Sequence, residues 1–153
     1  MNKVLIAVDS SKGSRACIKT FIRLFSGAPA KTVILANVQQ FGGSTMIHDR
    51  ISDAEMLTLE EELEKSGAKK EMDRKSNAIL KSHKKTLERS GIKRIKTVIR
   101  EGHVAEEILK TIEKEKADLI IIGATRTLAQ KLIMGDVTGE VAKKAKIPVM
   151  LVR

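Results

Sequence analysis

The chain has 153 residues, 42% of them hydrophobic, with 29 basic and 19 acidic side chains giving a net charge of +10. No apolar run approaches the ~20 residues of a membrane span, and the apolar part of the opening MNKVLIAVDSS is too short for a signal peptide. The lone Cys17 excludes an internal disulfide and zinc-finger spacing, which leaves one cytoplasmic domain over residues 1–153 as the expectation.

In chain order, Lys3 to Val8 (KVLIAV) is a continuous apolar run that predicts a buried parallel strand. Asp9, Ser10, Ser11 and Gly13 form a polar turn with several possible helix caps. Ala16, Ile18, Phe21, Ile22, Leu24 and Phe25 then make one apolar side of a helix closed by Gly27 and Pro29, with Cys17 among them as a buried thiol. Thr32 to Val38 is a second strand, followed by the glycine-containing loop Gln39 to Thr45. From about Asp53 to Ser90 the spacing predicts a helix, carrying Met56, Leu59, Leu63, Met72, Ile79, Leu80, His83 and Leu87, with Gly67 as a possible break and Gly91 as its stop.

Ile95 to Ile99 alternates and predicts a third strand; Val104, Ile108, Leu109 and Ile112 mark the buried side of the next helix. Leu119 to Ile122 is a fourth strand that runs straight into Gly123. Val137, Val141 and Ala145 mark a last helix, and Pro148 opens a final strand, Val149 to Val152. Five strands alternating with helices argue for a parallel sheet covered on both faces. Ligands of such sheets bind beyond the carboxyl ends of the strands, where strand order reverses. Asp9, Val38, Gly102 and Gly123 all fall near such ends.

The charge is concentrated. Between Lys65 and Arg100 lie 13 basic and 3 acidic residues, while the rest of the chain holds 16 of each. A solvated lysine-rich face and an acidic partner are both consistent with this. With no Trp or Tyr and only Phe21, Phe25 and Phe41 for stacking, electrostatic binding of nucleic acid through 65–100 ranks last among the functions considered.

Three stretches in order resemble the universal stress protein family: VLIAVDSSKGSRACI, REGHVAEEILKTIEKEKADLIIIGA and GDVTGEVAKKAKIPVMLVR. The second includes the pattern Gly-x-(Pro/Val)-Ala-Glu-x-Ile at Gly102 to Ile108. The resemblance implies a three-layer α/β/α sandwich, a five-stranded parallel sheet of order 3-2-1-4-5 of the adenine nucleotide alpha hydrolase-like type. It also implies a homodimer through the C-terminal strand Val149–Val152. One branch of the family binds ATP and another does not. The binding branch carries Gly-x2-Gly-x9-Gly-(Ser/Thr). Here the first glycine is Gly123 and the third is Gly135, but the second falls on Arg126 and the final Ser/Thr on Asp136, with the interval one residue short. The resemblance further implies Asp9 beside the nucleoside, Val38 with its backbone at the adenine, Ile122 ahead of the motif, and Val137 and Thr138 after it.

The departures bear on chemistry. A Ser at 136 could cap a helix and still donate to a phosphate, whereas an ionised Asp136 only accepts and would take the helix-start N–H groups itself. Arg126 could pair with Asp136 or bridge a phosphate, Lys131 could add charge, and a Mg²⁺ shared by Asp136 and phosphates is a third arrangement. Gly123 answers to small size, to positive φ or to a tight turn; Asp9 answers to a ligand contact or a helix cap. His48, His83 and His103 lack metal-ligand spacing, and no Walker A motif or catalytic constellation is present. The expected function is therefore a stress-response regulatory protein that binds ATP or AMP weakly or conditionally, with any ATP hydrolysis incidental. A dimeric interaction module without nucleotide is the alternative.

Overall fold

A computed structural model describes residues 1–28, 30–40, 52–124 and 136–153. The elements in order are β1 (Lys3–Ala7), α1 (Lys12–Phe25), β2 (Thr32–Gln39), α2 (Asp53–Lys65), α3 (Ala68–Arg89), β3 (Ile95–Glu101), α4 (Val104–Glu115), β4 (Leu119–Gly123), α5 (Val137–Lys144) and β5 (Val149–Val152). The strands form one sheet in the order β3-β2-β1-β4-β5, every pair parallel. The fold expected from the sequence is the fold observed.

Period-two alternation explains the three layers. Val4, Ile6, Val33, Leu35, Leu119 and Ile121 point to one face and pack with Cys17, Ile18 and Phe21 of α1 and Leu80 and Leu87 of α3. Their neighbours Leu5, Ile34, Ala36, Ile120 and Ile122 point to the other face, against Ala105, Ile108 and Ile112 of α4 and Val141 of α5. Central strands buried on both faces are apolar at every position, which is why they read as continuous runs rather than as alternation. β3 and β5 lie at the edges, and there the pattern loosens, with Lys96, Thr97 and Leu151 exposed.

The segment from Asp53 to Ser90 is two helices. A capping box of Ser52 and Glu55 starts α2. Gly67, at φ 74°, breaks the run; this left-handed conformation is one a side chain with Cβ resists. The Gly67 N–H donates to the Glu64 carbonyl (3.3 Å) and the Gly67 carbonyl accepts from Glu71 N (3.2 Å), so the backbone turns without losing its hydrogen bonds. Met56 and Leu63 belong to α2, but their side chains lie outside the described residues.

Strand order reverses between β1, whose chain moves to β2, and β4 on its other side. The carboxyl ends of β1, β2 and β4 therefore open into one crevice. Two buried contacts fix its floor: Val8 N donates to the Ala36 carbonyl (2.9 Å), and Asn37 Nδ2 donates to the Val8 carbonyl (2.8 Å).

Candidate functional site

The crevice holds a cavity of about 230 Å³. Its lining includes Asp9 from the turn after β1, Val38 at the end of β2, Ile122 and Gly123 at the end of β4, and Asp136, Val137 and Thr138 at the start of α5. Seven residues singled out from the sequence thus meet in one place although they lie up to 129 positions apart. Arg126 and Gly135 lie outside the described residues, as do Lys131 and His48. The sequence reading missed Ser11, Ser14, Ala36, Gln40, Val104 and Ile108, which with Ala7 and Val8 at the end of β1 complete the wall. Val104 and Ile108 could have been found, because they sit on the apolar side of α4 at its crevice end.

Asp9 is held by its own turn. Its Oδ1 accepts from Ser11 N (2.8 Å) and from the Ser14 hydroxyl (2.7 Å), while Ser14 Oγ accepts from Asp9 N (2.8 Å). Ser11, not Asp9, is the N-cap of α1, its hydroxyl accepting from Ser14 N (3.2 Å). Asp9 organises the capping turn from outside the helix, so its carboxylate stays at the cavity wall. Behind it, burial first and the charge of Asp9 second push the Cys17 thiol up to about 11. This is an inert buried thiol.

His83, from α3, is buried with Nε2 3.4 Å from the Asp9 carbonyl oxygen. A carbonyl can only accept, so this contact requires the tautomer with the proton on Nε2. His83 therefore supports the back of the Asp9 turn from another element. His103 precedes α4 with Nε2 3.8 Å from Glu140 Oε2, and its buried Nδ1 has no hydrogen-bond partner among the described residues.

Gly123 is required by close approach. A Cβ there would lie 3.1 Å from both the Cα and the carbonyl carbon of Gly13 and 3.3 Å from its oxygen. All three are backbone atoms of α1's first turn, and they have no rotamer with which to withdraw. Of the properties that Gly123 could supply, small size is the one used, since its φ is not among the positive values. Its carbonyl accepts from the Thr138 hydroxyl (3.2 Å), which ties the end of β4 to α5.

Asp136 caps α5: its Oδ1 accepts from Gly139 N (2.9 Å). A Cβ at Gly139 would lie 2.0 Å from Asp136 Oδ2, so Gly139 leaves room for the carboxylate over the helix start. Among the described residues, Asp9 and Asp136 are the only charged side chains in the cavity lining. Two carboxylates beside an apolar floor of Ala7, Ala36, Ile108 and Ile122 suit a flat, weakly polar group with hydroxyl or amine donors at its rim. No group of three or more His, Cys, Asp or Glu side chains arranged for a metal occurs among the described residues.

The comparisons with known proteins bear on this geometry. The model of the universal stress protein family matches residues 1–153. Universal stress protein MJ0577 of Methanocaldococcus jannaschii is 29% identical over 155 residues, 99% of this chain and 94% of that protein. MJ0531 of the same organism is 43% identical over 75 residues, 48% of this chain, and the alignment spans only 44% of its own length. Two solved structures share the fold. One is a universal stress protein in complex with cAMP, with TM-score 0.66, 19% identity and coverage of 99% of this chain and 96% of that one. The other is the Archaeoglobus fulgidus universal stress protein in complex with dAMP, with TM-score 0.58, 15% identity and coverage of 100% and 98%. A family match along the whole chain, on a sheet of order β3-β2-β1-β4-β5 with the expected residues gathered at its reversal point, has one consequence: the chain belongs to the universal stress protein family.

Proposed function

We propose that this protein is a regulatory adenine-nucleotide-binding domain, residues 1–153, acting in a cytoplasmic stress response without a catalytic step of its own. The observation that carries the reading is the meeting of Asp9, Val38, Gly123 and Asp136–Thr138 around one cavity at the strand-order reversal. Solved relatives that hold cAMP and dAMP support it. In this reading the adenine lies on the apolar floor near Val38, and Asp9 accepts from ribose hydroxyls. The phosphates point towards the α5 start; Arg126 and Gly135 lie outside the described residues. Asp136 already takes the Gly139 N–H there and brings negative charge, so binding is weak or conditional on a cation such as Mg²⁺. Titration calorimetry with ATP, ADP, AMP and cAMP, with and without Mg²⁺, tests the reading. Saturable heats are expected, and flat traces up to millimolar ligand would refute it.

The capping carboxylate also favours a second reading, a dimeric interaction module without nucleotide. Its proposed seam is β5, an edge strand of four residues with Leu151 49% exposed. Mass spectrometry of gently purified protein separates the two readings: copurified adenine nucleotide supports the first, and a dimer in sedimentation with none retained supports the second.

A further inference from the structure

We propose that the outward face of α3 and the turn that follows it bind the backbone of a double-stranded nucleic acid without reading its sequence. The whole net charge of +10 arises between Lys65 and Arg100, and the fold sets much of it on one surface. At 100° per residue, Lys81, Lys85 and Arg89 form one row along α3, with steps of roughly 6 Å. All three are exposed, and so are Lys93 and Arg94 just past Gly91. Ser76, Leu80, His83 and Leu87 take the opposite, buried side of the helix.

None of these five cations has an ion pair among the described residues. The acids nearby are already engaged: Glu88 lies 3.8 Å from Lys84, Glu71 pairs with Arg74, and Asp73 with Lys69. The acidic helix α2 precedes Gly67, at the other end of α3. Lys96, next along β3, is taken by Glu115 (2.7 Å).

Like charges four residues apart repel and weaken a helix. Opposite charges at that spacing occur in Lys144–Glu140 and Lys69–Asp73. Lys81–Lys85–Arg89, like Arg15–Lys19–Arg23 on α1, is a like-charged row instead, and a polyanion relieves its repulsion. The surface chemistry selects which polyanion. Single strands need aromatic platforms, yet among the described residues Phe21 is buried and Phe25 is stacked on it at 5.0 Å; the chain has no Trp or Tyr, and Phe41 lies outside the described residues. An anionic membrane would be met by a hydrophobic wedge beside the lysines, but the large exposed hydrophobics among the described residues, Met1, Leu24, Leu57 and Leu151, all lie off α3. A duplex backbone needs only a row of cations.

Fluorescence anisotropy with a labelled 20-base-pair duplex of arbitrary sequence tests this, using the full chain between 50 and 200 mM salt. Contacts to about five phosphates give a slope of log K against log salt near −4.5, a loss of roughly 500-fold across that range. The charge-reversal variant K81E/K85E/R89E should weaken binding at least about 30-fold and flatten the slope by about 2.7. The control K114E/K143E/K146E removes the same charge from the opposite helical layer and should leave both nearly unchanged, with circular dichroism reporting that each variant is folded. No duplex binding at 50 mM salt overturns the proposal. So does equal weakening by the two variants, or tighter binding to a single strand or to vesicles rich in phosphatidylserine.

Discussion

Replacing Asp136 tests the site most directly, because the residue does two separable things. As the N-cap of α5 it accepts from Gly139 N at 2.9 Å, and as an anion it shares the cavity wall with Asp9. Ser caps about as well as Asp and forgoes only the charge–dipole contribution of about 0.3–1 kcal/mol. Asp136→Ser should therefore change stability by less than about 1 kcal/mol, whereas Asp136→Ala should lose about 1 kcal/mol with the cap itself. Neither variant retains the charge. At 4 Å, one charge on a phosphate opposes Asp136 by about 1 kcal/mol in water and about 4 kcal/mol at an effective dielectric of 20. Removing it should tighten ATP binding at least about fivefold, since 1.4 kcal/mol is a factor of ten.

The discriminating quantity is the ratio of affinities along the series adenosine, AMP and ATP, measured by calorimetry on wild type, Asp136→Ser and Asp136→Ala. The gain should grow with phosphate charge and vanish for adenosine, and it should be the same for both variants despite their different stabilities. A uniform gain would mean that the substitution reshaped the cavity. An unchanged ATP-to-adenosine ratio would refute the placement of phosphates at the α5 start.

Three further outcomes follow from the packing. Gly123→Ala drives a methyl onto the Gly13 backbone at 3.1 Å; overpacking of this kind costs about 1–3 kcal/mol, a fall in Tm of roughly 3–10 °C. An unchanged Tm by calorimetry would show that the strand and helix have room to part. Cys17, with its thiol raised to about 11, should have about one molecule in a thousand ionised at pH 8; it should resist a disulfide reagent when folded and react within minutes in denaturant. Burial alone would raise the Glu107 carboxyl, but hydrogen bonds and charge from Lys110 (2.6 Å) and Arg100 (3.1 Å) outweigh it and hold Glu107 below the usual range. A depressed folded pKa stabilises above the unfolded carboxylate value and is lost as pH falls through the folded one. Glu107→Gln should then cost about 1.5–3 kcal/mol at pH 7, with the gap to wild type in urea midpoints closing towards acid. A gap independent of pH would assign the loss to packing.

The fold was legible because its strands are central. Leu119 to Ile122 and Val33 to Ala36 are buried on both sides and carry no competing signal, so run length alone separated them from helices. The Asp53–Ser90 segment was harder, because a stripe of apolar residues continues through Gly67 and only the left-handed backbone there decides for two helices. Gly123 and Asp136 were legible as positions that matter, but their reasons were not. The partner of Gly123 is Gly13, 110 residues earlier, and no local pattern encodes a contact between two backbones.

His83 shows where sequence reasoning stops and what the fold adds. Spacing places it on the apolar stripe of α3, and it is indeed buried; nothing local says that its ring meets the carbonyl of Asp9, 74 residues away. That contact, the Ser14 hydroxyl between Asp9 N and Oδ1, and the Asn37 amide on the Val8 carbonyl hold three consecutive points of one turn from three different elements. A carboxylate fixed in this way needs little reorganisation when it accepts from a ligand, so binding there loses less entropy than at a free side chain. It follows that the donors behind the turn contribute to affinity without touching the ligand. Their removal should weaken adenosine and ATP by the same factor, in contrast to Asp136, which sorts ligands by charge.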